Sequence, residues 1–484
     1  MLDKIKKHDN WIVFFVMILI SMGFTLCIVI TSGDELWNFN NAYKFFNGYK
    51  MYTDMNIIIP PMFFYIVNIM FHLIGANILT FKIVGILIYG FTNLCIYNIF
   101  KALNINKKNA FCYLMMMQTI IFPLVTVGAN YNLLAIVFVL LGILLLIRTE
   151  SESKYLWILQ GMITYFILFT KQNIGVYYLA SIIFSEIILN GFHKNTVKKF
   201  IKLIGIFLFL STLNLLLFYI QGNLYDFINY IVLGISEFTK NFSIGTYVFL
   251  LIFMDIITLF VTIFLYKKKL LIGKQNKNLV ILSSSSIALS LIVYPIINVC
   301  HIILALIIPF IMLFYILHFL IIKEFNITKI INIISIMILV IECMGSIYFV
   351  YSWTLNAKFD LAYSHPYYGG VIEKETEEKI EIINQYILQQ QEVEKRVVIL
   401  SEEAGLYLIP LQQNNGILDL PFLGNLGREG EDGLIKQIQK LENCHILLKQ
   451  GDLFWQESQK ANDYIKQSYE KIGEIEDFDI YEIK

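Results

Sequence analysis

Charge is scarce in this chain. Asp, Glu, Lys and Arg make up only 15% of its 484 residues while 57% are hydrophobic, and 37 basic residues are balanced by 37 acidic ones. A sparse, balanced charge offers no basic stripe to nucleic acid, and so apolar a composition excludes a soluble globular fold. Cysteine is scarce as well. Cys27, Cys95, Cys112, Cys300 and Cys343 lie in or beside apolar runs and Cys444 stands alone in the polar tail, a pattern that excludes a disulfide framework. The glycines of the tail segment "GNLGREGEDG" (424–433) have neither dinucleotide-binding nor P-loop spacing and read as a turn before a helix. The chain also lacks an internal repeat of fixed period and a low-complexity linker.

What it has in abundance is apolar runs long enough to cross about 30 Å of hydrocarbon. They fall near 11–31, 78–100, 110–128, 131–148, 155–170, 173–190, 200–220, 246–266, 279–297, 301–322 and 330–353. The first follows Lys4, Lys6 and Lys7 and has no small-x-small cleavage site, so it reads as a retained anchor. A further segment, "PMFFYIVNIMFHLIG" (61–75), is apolar but short. If it stays at the outer interface, Lys101 to Lys108, Arg148 with Lys154, His193 to Lys202, Lys267 to Lys277, and Lys323 with Lys329 all face the cytoplasm, as the positive-inside rule requires. The expectation is therefore an α-helical polytopic protein of the cell membrane. Residues 1–353 form about eleven spans with a cytoplasmic N-terminus, loop 32–77 carries interfacial helices on the outer face, and 354–484 form a small extracytoplasmic α/β domain. In that tail "TEEKIEIINQYILQQ" has helical periodicity, "RVVILS" and "CHILLK" read as buried strands, "EDGLIKQIQKLE" is amphipathic and "FDIYEI" alternates.

With this topology the unusual polar residues collect outside. Asp34 and Glu35 follow the first span directly, and Asp54 lies later in the same loop. Leu36, Phe39, Tyr43 and Phe46 recur at helical spacing with Asn38 and Asn41 on the side of Asp34, which predicts a helix on the membrane surface. An acidic residue at its start can cap exposed backbone N–H groups, or it can take a proton from a substrate hydroxyl. Three other outer connections favour the second role: "GANYN" with Asn130 and Asn132, "TKQN" with Lys171, and "NVCH" with His301. A lysine between two spans on that face runs against the positive-inside rule unless it snorkels to lipid phosphate or has a partner. A carboxylate, a lysine and a histidine at the membrane lip suit one reaction in particular. An acceptor hydroxyl loses its proton to the carboxylate while cations steady a departing phosphate.

The stretch from "DELWNFNNAYKFFNGYKMYTD" through "PPMFFYIVNIMFHLIGANILTFKIVGIL" resembles the start of the C-type (GT-C) membrane glycosyltransferases, in the branch of protein O-mannosyltransferases and aminoarabinose transferases. That family has an Asp-Glu pair after the first span, a polar helix, Gly-x-x-x-Tyr-x-Asp, a proline, a short interfacial helix ending in Gly, and a basic residue opening the next span. The chain supplies Asp34 and Glu35, Gly48 with Tyr52 and Asp54, Pro60 and Pro61, Gly75, and Lys82, in order. Lys171 is similar to the family's lysine at an outer connection, and His301 with Pro309 to its basic residue and proline on a late span. The resemblance implies a polyprenyl-phosphate sugar donor and transfer on the extracytoplasmic face; the acceptor stays open as a glycan, a lipid or a protein. In one place the chain departs from the pattern. Many members carry a second acidic residue where this chain has Asn130 and Asn132, and an amide cannot take a proton. General-base duty then falls on Asp34, with Glu35, Tyr52, Asp54, Asn130, Asn132, Lys171 and His301 as substrate-binding candidates. A divalent metal stays open as a cofactor, although a site that needs two carboxylates is weakened.

Two rival classes share parts of this pattern. Asp255 and Glu342 fall inside spans, where carboxylates often mark transport pathways, so a lipid-linked glycan transporter is one alternative; regular pairs of broken spans, the stronger sign of a carrier, are missing. A glycan polymerase or ligase using diphosphate-linked oligosaccharide is the other. In the tail, "LDLPFLGNLG" and Trp455 of "FWQES" can contact a glycan or fill a small core.

Overall fold

The computed structural model describes residues 9–27, 33–153, 155–236, 247–267, 273–294, 299–318, 328–355, 359–361, 371–451 and 457–484. Lys4, Lys6, Lys7, Lys154, Asn298, Lys323 and Trp455 lie outside them. In chain order the α-helices are α1 (Asp9–Thr25), α2 (Asp34–Phe46), α3 (Met62–Ile74), α4 (Ile78–Ala102), α5 (Lys107–Ile121), α6 (Tyr131–Arg148), α7 (Leu156–Leu168), α8 (Gln172–Asn190), α9 (Lys194–Gln221), α10 (Leu224–Ile228), α11 (Tyr247–Lys267), α12 (Lys274–Ser290), α13 (Val299–Leu317), α14 (Thr328–Leu355), α15 (Lys374–Glu392), α16 (Ala404–Leu408), α17 (Gly430–Ile438) and α18 (Gln459–Ser468).

Each expected apolar run contains a helix among the described residues. Among the described residues eight helices are long and apolar enough to cross a membrane: α4, α5 with its 3-10 extension, α6, α8, α9, α12 with its own extension, α13 and α14. Helices α1, α7 and the apolar centre of α11 are shorter. The expected run at 155–170 is cut because the chain turns after Leu168: Thr170 Oγ1 donates to the Phe166 carbonyl at 2.6 Å, and the Lys171 amide to the Ile167 carbonyl at 2.8 Å. Helix α3 has 13 residues, about 20 Å of length, too little to cross hydrocarbon.

The chain forms two compact units. The first comprises Met1–Thr25, Gly85–Asn214 and Phe242–Tyr351. In it α12 packs against α8, α11 and α13. Asp9, at the start of α1, receives Lys101 and Lys107 at 2.6 and 2.9 Å, and buried Lys199 reaches buried Glu186 at 2.7 Å. Apolar side chains such as Leu208, Phe260, Ile336 and Ile341 face outward, as they do where the surrounding solvent is lipid.

The second unit comprises Leu26–Val84, Leu215–Asn241 and Ser352–Lys484. Its strands are β1 (Phe359–Leu361), β2 (Val371–Glu373), β3 (Arg396–Leu400), β4 (Cys444–Lys449), β5 (Glu470–Ile475) and β6 (Phe478–Ile483). Strands β1 and β2 pair on their own, and the larger sheet has the order β3-β4-β6-β5, parallel between β3 and β4 and antiparallel elsewhere. Val398, Leu400, Ile446 and Leu448 from its centre meet Leu434 and Ile438 of α17 and Ile465 of α18 in one core. The helices and strands read from the tail sequence are present. Strands β1, β2 and β5 and helices α16 and α18 are additions: β5 is an edge strand with Glu470, Lys471 and Glu474 along an exposed face, so it carries no run of buried apolar residues.

Candidate functional site

In the second unit the acidic pair opens α2. The N-cap position belongs to Gly33, at φ 107°, which has no side chain with which to cap the helix. That backbone conformation strains a residue with a Cβ. Asp34 is therefore not the cap; it is the first helical residue and is exposed, with Glu35 half-buried behind it. Both sit where the helix presents its positive end. Burial pushes the Glu35 carboxyl above the usual carboxylate range, and the Lys82 ammonium pulls it back. Lys82 is completely buried in the first turns of α4. The structure thus brings Glu35 within electrostatic reach of the basic residue that opens the next span.

The loop after α2 explains the Gly-x-x-x-Tyr-x-Asp spacing. Gly48 has φ 87° and Tyr52 φ 70°, so the chain turns twice through the left-handed region. Tyr52 is buried; its hydroxyl donates to the Ile59 carbonyl at 3.1 Å and its ring packs edge-on against Phe218 and Phe227. It braces the loop from inside. Asp54 accepts from the Lys50 amide at 2.7 Å and lines an open cleft.

Sequence reasoning missed what holds α2 in place. Its polar side is covered by the segment 402–422 of the same unit. Lys44 Nζ meets Asp419 Oδ2 at 2.7 Å, with side chains 3% and 2% exposed, and also donates to the Gly416 carbonyl at 3.2 Å. Trp37 Nε1 donates to the Glu402 carbonyl at 3.0 Å, and the Trp37 ring lies 4.7 Å from that of Phe422. Asn56 exchanges hydrogen bonds with the backbone of Leu420. "LDLPFLGNLG" is therefore a clasp on the helix of Asp34. A lysine beside Tyr43, on the apolar stripe of an amphipathic helix, was the available signal.

In the first unit the other candidates come together. Asn130 caps α6, accepting from the Asn132 and Leu133 amides at 2.7 and 3.3 Å. Asn132 is buried, and its Oδ1 has no hydrogen-bond partner among the described residues. Lys171, at the N-cap of α8, holds its ammonium 4.8 Å from the Tyr131 ring centre, a cation–π contact, and lies close enough to His301 to act on it electrostatically. Asp255 bonds to Ser290, and Glu342 is buried with its Oε2 unpartnered among the described residues. Among the described residues no three His, Cys, Asp or Glu side chains converge as a metal site would require.

Comparison with known proteins finds a family model that matches part of the chain and solved structures whose fold is similar over nearly all of it. Residues 59–219 match the family model described as dolichyl-phosphate-mannose-protein mannosyltransferase. No curated protein matches the chain. Among solved structures, ArnT from Cupriavidus metallidurans in the apo state is similar at 10% identity and a TM-score of 0.57, over 98% of this chain and 97% of that one. The same protein bound to undecaprenyl phosphate is similar at 10% identity and a TM-score of 0.57, over 97% of each chain. At that identity the likeness is one of fold.

Proposed function

We propose that the protein transfers a sugar from a polyprenyl-phosphate-linked donor to an acceptor hydroxyl on the extracytoplasmic face, with inversion and with Asp34 as general base. One observation carries this reading: an exposed carboxylate on the first turn of α2, next to a Glu35 that interacts with the buried Lys82 ammonium. The acceptor oxygen attacks the anomeric carbon as its proton passes to Asp34. The bond from that carbon to the phosphate oxygen breaks, and polyprenyl phosphate leaves with the electron pair. A single positioned base suffices for such a displacement. Lys82 offers charge to the departing phosphate, and Glu35 holds that ammonium in place. Lys171, His301, Asn130 and Asn132 are assigned to substrate polar groups by their chemistry alone.

A lipid-linked donor also accounts for a polar site borne by so apolar a chain, because the prenyl chain stays in hydrocarbon while phosphate and sugar reach polar side chains. The similar ArnT structure that holds undecaprenyl phosphate supports the same donor class. The basic clusters between spans support a cytoplasmic N-terminus and an external C-terminal domain in the cell membrane, which a reporter fused after Lys484 tests. The experiment for the activity uses purified protein and labelled polyprenyl-phosphate sugar. Transfer or hydrolysis of the sugar is expected. Movement of the intact lipid between leaflets without covalent change would replace this reading with a transporter, and turnover of diphosphate-linked oligosaccharide alone would replace it with a polymerase or ligase.

A further inference from the structure

The second unit has an open cleft of 370 Å³ at the C-terminal end of α2, bordered on its other side by residues 409–414. Its lining is rich in side-chain amides and phenol rings: Asn40, Asn47, Gln413 and Asn414, with Tyr43 and Tyr49. A second cleft of 450 Å³ shares Tyr49, Asp54 and Asn414 with the first and continues to Arg396 and Lys440. We infer that this continuous groove is a binding site for the glycan part of the acceptor, a hydroxyl-rich chain held away from the reacting hydroxyl. The inference rests on the glycosyltransferase reading and assigns the acceptor class that it leaves open.

Charge and chemistry favour that occupant. Among the described residues that line the first cleft, Lys44 is the cation and is already matched by Asp419 at 2.7 Å, and Asp54 accepts from a backbone amide. What remains is one carboxylate among a dense set of groups that both donate and accept, as primary amides do, beside rings that offer an apolar face and a polar tip. Such a lining suits neighbouring hydroxyls on a sugar chain better than a lipid tail, which needs an apolar wall. Arg396 and Lys440 at the far end provide for an acidic substituent on that chain. The lining residues of this helix run from Asn40 to Asn47, six to thirteen positions past Asp34, roughly 9 to 20 Å at the rise of an α-helix. The groove therefore grips sugars remote from the new bond, where binding energy can orient the acceptor without touching the reacting atoms.

The test is saturation-transfer NMR on the full-length protein in nanodiscs with neutral tetrasaccharides of glucose, mannose, galactose and N-acetylglucosamine and one uronate-bearing tetrasaccharide. At least one should bind, and Tyr49→Ala and Gln413→Ala should each weaken it tenfold or more. Gln413 lies outside the Lys44–Asp419 ion pair, whereas the Tyr49 ring centre is 6.0 Å from Lys44 Nζ, so folding of each variant is followed by thermal unfolding of the same samples and binding is compared on folded protein. With an acceptor in hand, transfer by the variants should fall at low acceptor and recover at high acceptor, the pattern of lost uniform binding. Absence of binding by all five, or equal binding by wild type and folded variants, would overturn the inference. Loss of sugar from labelled donor in wild-type protein is read separately, so a failure of the enzymatic reading is told apart from a failure of the groove.

Discussion

Lys44→Met tests whether the C-terminal domain sets the position of the helix that carries Asp34. The Lys44 and Asp419 side chains are 3% and 2% exposed and 2.7 Å apart, so water does little to screen either. Removing one member of such a buried pair strands the other and costs about 3–5 kcal/mol, whereas an exposed pair is worth at most about 1. At roughly 1.4 kcal/mol per factor of ten, the folded population relative to unfolded should drop by a factor of 10² to 10³ or more. Among the described residues Asp419 would keep the Asn415 amide at 2.5 Å and the Asn40 amide at 3.5 Å. Adding Asp419→Asn removes the stranded charge and leaves an acceptor for Asn415, so the double variant should regain most of the loss. Thermal unfolding of the full chain in detergent measures this, and hydrogen exchange of the α2 backbone locates it. A loss below about 1 kcal/mol for Lys44→Met, or no recovery in the double variant, would refute the clasp.

Other outcomes follow from the same geometry. Gly33→Ala should destabilise the start of α2 by about 1 kcal/mol, read as faster amide exchange over 34–38, because a Cβ has open space there but the backbone at φ 107° disfavours it. Lys82→Met should leave the Glu35 carboxyl with burial unopposed and lower thermal stability, and adding Glu35→Gln should restore it. Glu457, in the tail, is pushed up to about 7 by burial and by the Glu402 carboxylate. The folded chain therefore holds that proton from the ordinary glutamate value up to about 7, so stability should fall as pH rises through this interval and level off above it. Glu457→Gln should flatten that slope in melting temperatures taken from pH 4.5 to 8.

The apolar runs announced the helices because a span must be continuous to satisfy its backbone in lipid, and the buried strands "RVVILS" and "CHILLK" are legible for a related reason: both faces are covered. Clasp and groove were not legible. They depend on residues almost four hundred positions apart, Lys44 with Asp419 and Asn56 with Leu420, and nothing local in either segment encodes the other. Asp34 could be singled out by its place after the first span, yet its sequence context could not distinguish the N-cap from the first helical position. Only the backbone of Gly33 decides that. Tyr52 shows the converse: a motif tyrosine spaced like a ligand-binding residue is buried, and its hydroxyl satisfies a turn.

The central claim is that Asp34 takes the acceptor's proton, and single-turnover transfer by Asp34→Asn tests it most directly. The substitution keeps the side-chain shape at an exposed position on the first helical turn, and the charge it removes is worth about 0.3–1 kcal/mol of charge–dipole interaction there. Loss of a positioned base costs on the order of 10² to 10⁴ in rate. With labelled polyprenyl-phosphate sugar at saturation and folding verified on the same sample, transfer should fall by that factor while donor binding persists. Transfer within a few-fold of wild type would contradict the account.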